Sequence, residues 1–227
     1  MIARRGTKVR LSKTNGNLAL SHIRAKRNQR IAVVAQQCLY FHTGYLFRCS
    51  HAQGDTLISI ENVQGSNFGD RLEGTDGQNW LYGNGGDDVL SGRDGIDVLS
   101  GGLGADGLHG GLGDDWMYGN EGNDSLYGEA GNDWLQGGAG ADQYVFNASV
   151  SGKDVIADFD VTADHLVLAP NLNGNGINTA AQALAHIHPG ADGYAALDLG
   201  SGNTVTFQGV TAAQLGTEDI VISSAAT

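Results

Sequence analysis

Aspartate and glycine recur together, nine residues apart, through the middle of the sequence. From Gly65 onward, glycine holds the first place of nine consecutive nine-residue units, and the fourth place is glycine in every unit except the first, which has Phe68. The sixth place is occupied by Asp70, Asn79, Asp88, Asp97, Asp106, Asp115, Asp124, Asp133 and Asp142. Carboxylate oxygens combined with backbone carbonyl groups suit a hard cation, and a flexible number of such ligands favours calcium over magnesium.

The glycines of these units are candidate carbonyl ligands as well as turn formers. The candidates are Gly83, Gly86, Gly92, Gly95, Gly101, Gly104, Gly110, Gly113, Gly119, Gly122, Gly128, Gly131, Gly137 and Gly140. Glycine tolerates positive φ and lets backbones approach closely, so a repeated metal-binding turn explains its strict spacing. Zinc would require histidine or cysteine ligands, and both cysteines lie outside the repeats.

The elements that must position these turns are short strands. Each unit is expected to contain six turn residues and three strand residues, with an apolar residue in the eighth place. The eighth places are Leu72, Leu81, Leu90, Leu99, Leu108, Met117, Leu126, Leu135 and Tyr144. Since side chains alternate along a strand, this column should face inward, and the seventh and ninth places should face outward.

Two units of nine residues make one coil of 18 residues, which stacks every second aspartate on the same side. Coils stack at ~4.8 Å, so the nine units should give about four and a half coils and a stack roughly 20 Å tall. The predicted fold is all-β. It is a right-handed parallel β-roll, a β-helix solenoid of nine nonapeptide repeats, within residues 54–145 and followed by a C-terminal β-rich cap.

The units match the pattern GGxGxDxUx, so residues 65–145 resemble the hemolysin-type calcium-binding repeats of repeats-in-toxin (RTX) proteins. In that family each ion lies between two stacked turns and is held by the aspartate of each turn and by glycine carbonyls. The resemblance implies the pairs Asp70 with Asp88, Asn79 with Asp97, Asp88 with Asp106, Asp97 with Asp115, Asp106 with Asp124, Asp115 with Asp133 and Asp124 with Asp142. These pairs give up to seven gaps, or roughly five to seven calcium ions.

The first two gaps are expected to be the weakest. Phe68 replaces a glycine in the first unit, and Asn79 supplies no charge in the second. The additional acidic residues Asp87 and Asp114 are expected to face solvent and attract cations rather than bind them directly.

Other chemistries fit the residues less well. A phosphate-binding loop needs a lysine and a helix N-terminus, whereas these glycine-rich turns carry aspartates that would repel phosphate. The sequence has no EF-hand loop, no H-E-x-x-H and no G-x-S-x-G. The histidines are scattered, and only His186 and His188 could share a strand face. We therefore expect no catalytic residues and no enzyme activity.

An aromatic stripe is expected on the outside of one sheet. Trp80, Trp116 and Trp134 hold the seventh place of even-numbered units, and Tyr82 and Tyr118 hold the ninth. An exposed apolar stripe usually has something that covers it. One interpretation is that the C-terminal segment or a neighbouring domain packs there, and the other is that the stripe binds sugar rings or a partner protein.

Residues 1–53 form a separate basic segment. They hold ten of the thirteen Lys and Arg residues and no acidic residue, while the remainder carries a net charge of about −22. A basic arm that binds nucleic acid or anionic lipid is the less favoured interpretation. The favoured one is a segment that is disordered or foreign to the fold, with no nucleic-acid partner. The segment has no apolar run long enough to span a membrane, and its two cysteines do not define a disulfide framework.

After Tyr144 the nine-residue pattern stops, and residues 146–227 are expected to form a cap. The sequence predicts two short strands, a short helix, a hairpin and a closing strand there, and a repeat stack does need end caps. The layout is similar to the segment that follows the repeats in proteins exported by type I secretion. That resemblance implies a secreted, extracellular protein with an export signal near its C-terminus and the type I secretion apparatus as a partner.

The leading functional hypothesis is a calcium-binding secreted RTX module that folds on binding extracellular calcium. It could be the C-terminal part of a larger exported toxin, enzyme or adhesin. The alternative is an extracellular module that binds polysaccharide or a cell-surface partner through the Trp/Tyr stripe. A third class, a small enzyme acting on an extracellular polymer, would require the aspartates to serve catalysis as well as calcium.

Overall fold

The computed structural model describes residues 62–147 and 152–223, together with the backbone of six short strands that precede them. The strands are β1 (Lys8–Thr14), β2 (Asn17–Arg24), β3 (Arg30–Val34), β4 (Cys38–Tyr40), β5 (Phe47–Cys49), β6 (Thr56–Ile58), β7 (Asn62–Gln64), β8 (Arg71–Glu73), β9 (Trp80–Gly85), β10 (Val89–Asp94), β11 (Val98–Leu103), β12 (Gly107–Leu112), β13 (Trp116–Glu121), β14 (Ser125–Ala130), β15 (Trp134–Ala139), β16 (Gln143–Phe146), β17 (Lys153–Ile156), β18 (His165–Leu168), β19 (Ile187–Pro189), β20 (Ala195–Gly200), β21 (Asn203–Phe207) and β22 (Ile220–Ile222). The prediction that residues 1–53 form a segment that is disordered or foreign to the fold stays a prediction.

Two parallel sheets face each other, and successive repeat strands alternate between them. One sheet has the parallel order β6-β8-β10-β12-β14-β16-β18-β22, and the other has β5-β7-β9-β11-β13-β15-β17-β21. Val89 pairs with Gly107 in the first sheet and Val98 with Trp116 in the second. Both offsets are 18 residues, so the predicted parallel β-roll with two units per coil is confirmed.

The eighth-place column forms the core between the sheets. Every residue from Leu72 to Tyr144 in this column has no exposed surface. Each fully buried leucine or methionine contributes roughly 1.5–3 kcal/mol relative to an exposed one. Since the strands are too short to be stable alone, this continuous apolar column binds one coil to the next.

The strands are longer than the sequence pattern suggested. Strands β9 to β15 have six residues each, not three, because pairing resumes after the first-place glycine. In the pair β9–β11, Asn84 pairs with Gly102 and Gly85 with Leu103. Asn84 in the second place has a positive φ of 79°. The chain therefore bends at this place without leaving the sheet.

The segment after the repeats extends the roll as well as closing it. In β17, Val155 pairs in parallel with Trp134, and in β18, Leu166 pairs with Tyr144. Strands β21 and β22 then add to the two sheets. The solenoid consequently has about six coils, more than the four and a half expected from the repeats alone.

The elements predicted after the repeats are present. The hairpin is β20–β21, the closing strand is β22, and the short helix is α1 (Ala180–Ala185). Thr179 caps α1 by accepting a hydrogen bond from the Gln182 N–H. Short 3₁₀ turns lie at Leu172–Gly174, Ala212–Gln214 and Thr217–Asp219. Within the described residues, no helix has the length and apolar character needed to cross a bilayer.

Candidate metal sites in the stacked turns

The repeat aspartates form hydrogen-bonded ladders along both edges of the roll. The Asp88 N–H donates to Asp106 Oδ1 at 2.7 Å, and the Asp106 N–H donates to Asp124 Oδ1 at 2.8 Å. On the other edge, the Asp97 N–H donates to Asp115 Oδ1 at 2.8 Å. One oxygen of each carboxylate thus accepts a hydrogen bond from the backbone of the preceding coil. The ladders bring the aspartates together in the pairs that the sequence analysis named.

The second oxygen of these carboxylates is buried and has no hydrogen-bond donor. Seven such atoms occur among the described residues, namely Oδ2 of Asp88, Asp97, Asp106, Asp115, Asp124, Asp133 and Asp142. Each of these residues is at most 2% exposed. A buried charged oxygen without a partner is strongly destabilising, since its hydration is lost and nothing replaces it. A cation at each oxygen would remove that cost.

A backbone carbonyl from the next coil faces the same point, beside the first-place glycine. A Cβ built on Gly83 would lie 2.6 Å from the Gly101 carbonyl oxygen and closer still to Asp88 Oδ2. Gly92, Gly110 and Gly119 each lie beside the equivalent two oxygens, the Oδ2 of the aspartate in the same unit and a glycine carbonyl of the next coil. We call this space, formed by the glycine, the Oδ2 atom and the carbonyl, the cradle.

Glycine is needed at two places in each unit for different reasons. The first-place glycines have ordinary backbone angles, so there the side chain is excluded by the oxygens of the cradle. The fourth-place glycines from Gly86 to Gly140 have positive φ, for example 124° at Gly113 and 138° at Gly122. Only glycine adopts that conformation without a steric penalty.

The chemistry of the cradle fits a hard divalent cation. It combines one carboxylate oxygen with a backbone carbonyl, an all-oxygen set of the kind that calcium prefers. No group of three or more His, Cys, Asp or Glu side chains converges as a metal site within residues 62–147 and 152–223. The remaining predicted ligands, the fourth-place glycines from Gly86 to Gly140, lie in the same turns, and their role as carbonyl ligands stays a prediction.

Burial raises the pKa of the sixth-place carboxyls from Asp88 to Asp142. Loss of hydration is the largest cause, and repulsion from neighbouring carboxylates adds to it. The pKa rises to about 7 at Asp88 and Asp124, about 8 at Asp115 and Asp133, and about 6 at Asp142. Without a cation, the folded state therefore favours protonated carboxyls near neutral pH.

The first two units satisfy their own polar atoms. Asn79 Nδ2 donates to the Thr75 carbonyl at 3.1 Å and to Asp97 Oδ1 at 2.8 Å. In the first unit, the Ser66 N–H donates to Asp70 Oδ2 at 2.6 Å. The amide nitrogen of Asn79 lies where the other units place an unpartnered oxygen, which gives a structural reason to expect the first two gaps to be weakest.

A second ladder, at the fifth place, was missed by the sequence analysis. Asp87 Oδ1 accepts a hydrogen bond from the Ala105 N–H at 2.9 Å, and Asp114 Oδ1 accepts one from the Asn132 N–H at 2.7 Å. Asn123 Oδ1 accepts likewise from the Ala141 N–H. Asp87 and Asp114 are exposed as predicted, but they also hold the next coil. The signal was the recurrence of Asp or Asn at this place.

Two further ladder members lie beyond the repeats. Asp154 Oδ1 accepts from the Asp133 N–H at 3.0 Å, and Asp164 Oδ1 accepts from the Asp142 N–H at 2.9 Å. Both are buried, and burial raises the pKa of each, to about 7 at Asp154. Their offsets are 21 and 22 residues, so a search at nine-residue intervals passes over them. The usable signal is an aspartate two residues before a buried apolar residue.

The aromatic stripe lies in register on the sheet of β9, β11, β13 and β15. Trp80, Val98, Trp116 and Trp134 are paired in that order across the strands. Trp80 and Tyr82 are each 37% exposed, and Trp116 is 42% exposed. Trp134 and Tyr118 are half-buried. Much of the stripe is therefore open to solvent in the described part of the chain.

Residues 64–99, 87–117 and 118–148 match the family model of the RTX calcium-binding nonapeptide repeat (4 copies). Comparison with curated proteins gives no match. Among solved structures, the chain is similar to the crystal structure of extracellular lipase LipA from Serratia marcescens, with 17% sequence identity and a TM-score of 0.37. The similarity covers 81% of this chain and 41% of the lipase chain, so the chain spans about two fifths of the lipase's length.

Closing one cradle should weaken calcium binding without changing any charge. In Gly110→Ala, the new Cβ would lie 2.8 Å from the Gly128 carbonyl oxygen and still closer to Asp115 Oδ2. We expect the calcium midpoint for folding, followed by far-UV circular dichroism, to rise several-fold. Gly107→Ala is the matched control, because a Cβ there meets nothing within 4 Å. Equal midpoints for the two variants would contradict the cradle.

The metal-free chain should gain structure on acidification. Because the folded-state pKa values are raised, the stability of the metal-free fold is greatest below about pH 4 and is lost as pH rises through the folded pKa values of about 6 to 8. In chelator, we expect the β signal to be largest near pH 4 and to fall between pH 6 and 8, with light scattering monitored to exclude aggregation. A metal-free β signal that increases with pH would refute this.

Proposed function

We propose that this chain is the calcium-binding module of a secreted protein and that calcium completes its fold outside the cell. Its residues 64–99, 87–117 and 118–148 match the model of the RTX calcium-binding nonapeptide repeat. The observation that carries the proposal is the set of seven buried Oδ2 atoms without a donor. Bound cations would be held by these oxygens and by carbonyls such as those of Gly101, Gly110, Gly128 and Gly137. They would supply the positive charge that the described interior lacks.

The free energy available from calcium is enough to decide whether the fold forms. An ion present at ten times its dissociation constant adds about 1.4 kcal/mol. About six such ions would add roughly 8 kcal/mol, which equals the whole stability of a typical domain. Without them, carboxylates stacked at the spacing of a sheet repel one another, and glycine-rich turns lose much conformational entropy on ordering.

Such a dependence suits export in an unfolded state. Extracellular calcium sites commonly have dissociation constants in the range of about 10⁻⁴ to 10⁻³ M, so they would be empty in a low-calcium cytosol. We propose that the chain leaves the cell through a type I secretion apparatus and folds on meeting extracellular calcium. The proposal assigns the chain no enzyme activity of its own, and a screen of polysaccharides for lyase or epimerase products tests that part.

A second function is favoured by the open aromatic stripe. Trp80 and Trp116 are each more than a third exposed, and flat indole faces on the outside of one sheet suit stacking against sugar rings. Because the residues from position 54 onward carry about −22 net charge, a neutral polysaccharide fits better than an acidic one. This would be a binding role added to the calcium-dependent fold.

The calcium proposal is tested on the full chain by a calcium titration in far-UV circular dichroism, with magnesium as the control ion. We expect a cooperative gain of β signal near millimolar calcium and none with magnesium. Asp106→Asn should shift the midpoint to higher calcium, because it removes charge from a cradle. Asp87→Asn is its charge-matched control, since the amide oxygen keeps the bond from the Ala105 N–H. A chain already fully folded in chelator above about pH 8, where the repeat carboxyls are ionised, would refute the proposal.

The stripe proposal is tested by retention on immobilised neutral polysaccharides in calcium. Trp116→Ala/Trp134→Ala should lose retention while keeping the calcium midpoint, because both side chains point away from the core. Val89→Ala, an exposed change on the opposite sheet, is the control. Retention that is equal in all three proteins, or absent from the wild type, would exclude the stripe as a sugar site.

A further inference from the structure

The last cradle of the repeats takes its second oxygen from a side chain. Beside Gly119, the converging oxygens are Asp124 Oδ2 and the Gly137 carbonyl of the next coil. Beside Gly137, they are Asp142 Oδ2 and the phenolic oxygen of Tyr144, which would lie 2.6 Å from a Cβ on that glycine. The hydroxyl of a buried core residue thus lies where a backbone carbonyl lies beside Gly83, Gly92, Gly110 and Gly119.

A carboxylate from the segment after the repeats joins this cradle. Asp158 lies between β17 and β18, and its Oδ1 accepts hydrogen bonds at 3.0 Å from the Tyr144 hydroxyl and from the Gly137 N–H. Its Oδ2 accepts one from the Gly138 N–H, also at 3.0 Å. The Tyr144 hydroxyl also accepts a hydrogen bond from the Gly137 N–H at 2.9 Å. Tyr144 and Asp158 therefore place two side-chain oxygen groups next to Gly137, the glycine of the Asp142 cradle.

Asp142 shows that the protein leaves this cradle incomplete. The residue has no exposed surface, and its Oδ2 has no hydrogen-bond partner. The Tyr144 hydroxyl hydrogen is directed to Asp158 and does not reach that oxygen. At Asn79, by contrast, an amide nitrogen donates hydrogen bonds into the equivalent space. The Asn79 cradle is closed by the protein, whereas Asp142 Oδ2 in its cradle receives no hydrogen bond from the described residues.

We propose that a divalent cation, calcium in this all-oxygen setting, binds at the end of the repeats between Asp142 Oδ2, the Tyr144 hydroxyl and the Asp158 carboxylate. This site lies outside the repeat pattern, because Tyr144 holds an apolar place and Asp158 follows the last unit. Its ion fastens the segment after the repeats to the roll, so that docking of that segment depends on calcium. The proposal rests on the proposed calcium-binding function.

The test counts bound ions on the full chain by native mass spectrometry in calcium. Tyr144→Phe removes only the hydroxyl, and Asp158→Asn removes only the charge. Asp94→Asn, which neutralises an exposed carboxylate at the end of β10, is the control. We expect one ion fewer in Tyr144→Phe and in Asp158→Asn than in the wild type, and no loss in Asp94→Asn.

Equal ion numbers in all four proteins would overturn the proposed end site and leave the repeat sites intact. A wild-type chain that binds no calcium would instead refute the proposed function itself. If both variants fail to fold, anomalous scattering from wild-type crystals grown in calcium decides the matter. A peak in contact with Asp142 and Asp158 supports the site, and its absence beside occupied repeat cradles overturns it.

Discussion

The structure depends on a buried carboxylate oxygen that recurs along both edges of the roll. Within the described residues, this oxygen has no hydrogen-bond donor. In each unit from Asp88 to Asp142, one carboxylate oxygen accepts the N–H of the preceding coil, and the other is buried without a donor. Such atoms are rare in protein interiors, because burying an oxygen without a hydrogen bond destabilises the folded state. A bound cation, as proposed above, would remove that cost.

The glycine pattern follows from the same constraint. First-place glycines leave space where the carboxylate and the next coil's carbonyl meet, and fourth-place glycines take the positive φ that closes the turn. The leucine column holds the sheets together, but the strands are short and both edges of each coil are turns lined with carboxylates. Apolar burial alone therefore leaves the acidic edges opposed to folding. In the function proposed above, cation binding would make the edges favour the same structure as the core.

Much of this was predictable because a strict period fixes geometry. Nine-residue spacing, with alternation in the strand, is enough to predict the 18-residue coil, the buried leucine column and the stacked aspartates. The strand length was mispredicted because pairing continues through glycines that carry no apolar signal. Asp154, Asp158 and Asp164 were missed because the spacing changes after the repeats. Their positions depend on how the later strands add to the sheets, which no local pattern records.

In the proposed function, folding and calcium binding are one transition, and thermodynamic linkage measures this directly. Urea unfolding of the full chain at several calcium concentrations gives the free energy of unfolding, which is plotted against the natural logarithm of the free calcium concentration. The slope, divided by RT, equals the number of ions taken up on folding. We expect a slope that corresponds to about five or more calcium ions through the millimolar range, and no dependence on magnesium. A free energy of unfolding that does not change with calcium would contradict it.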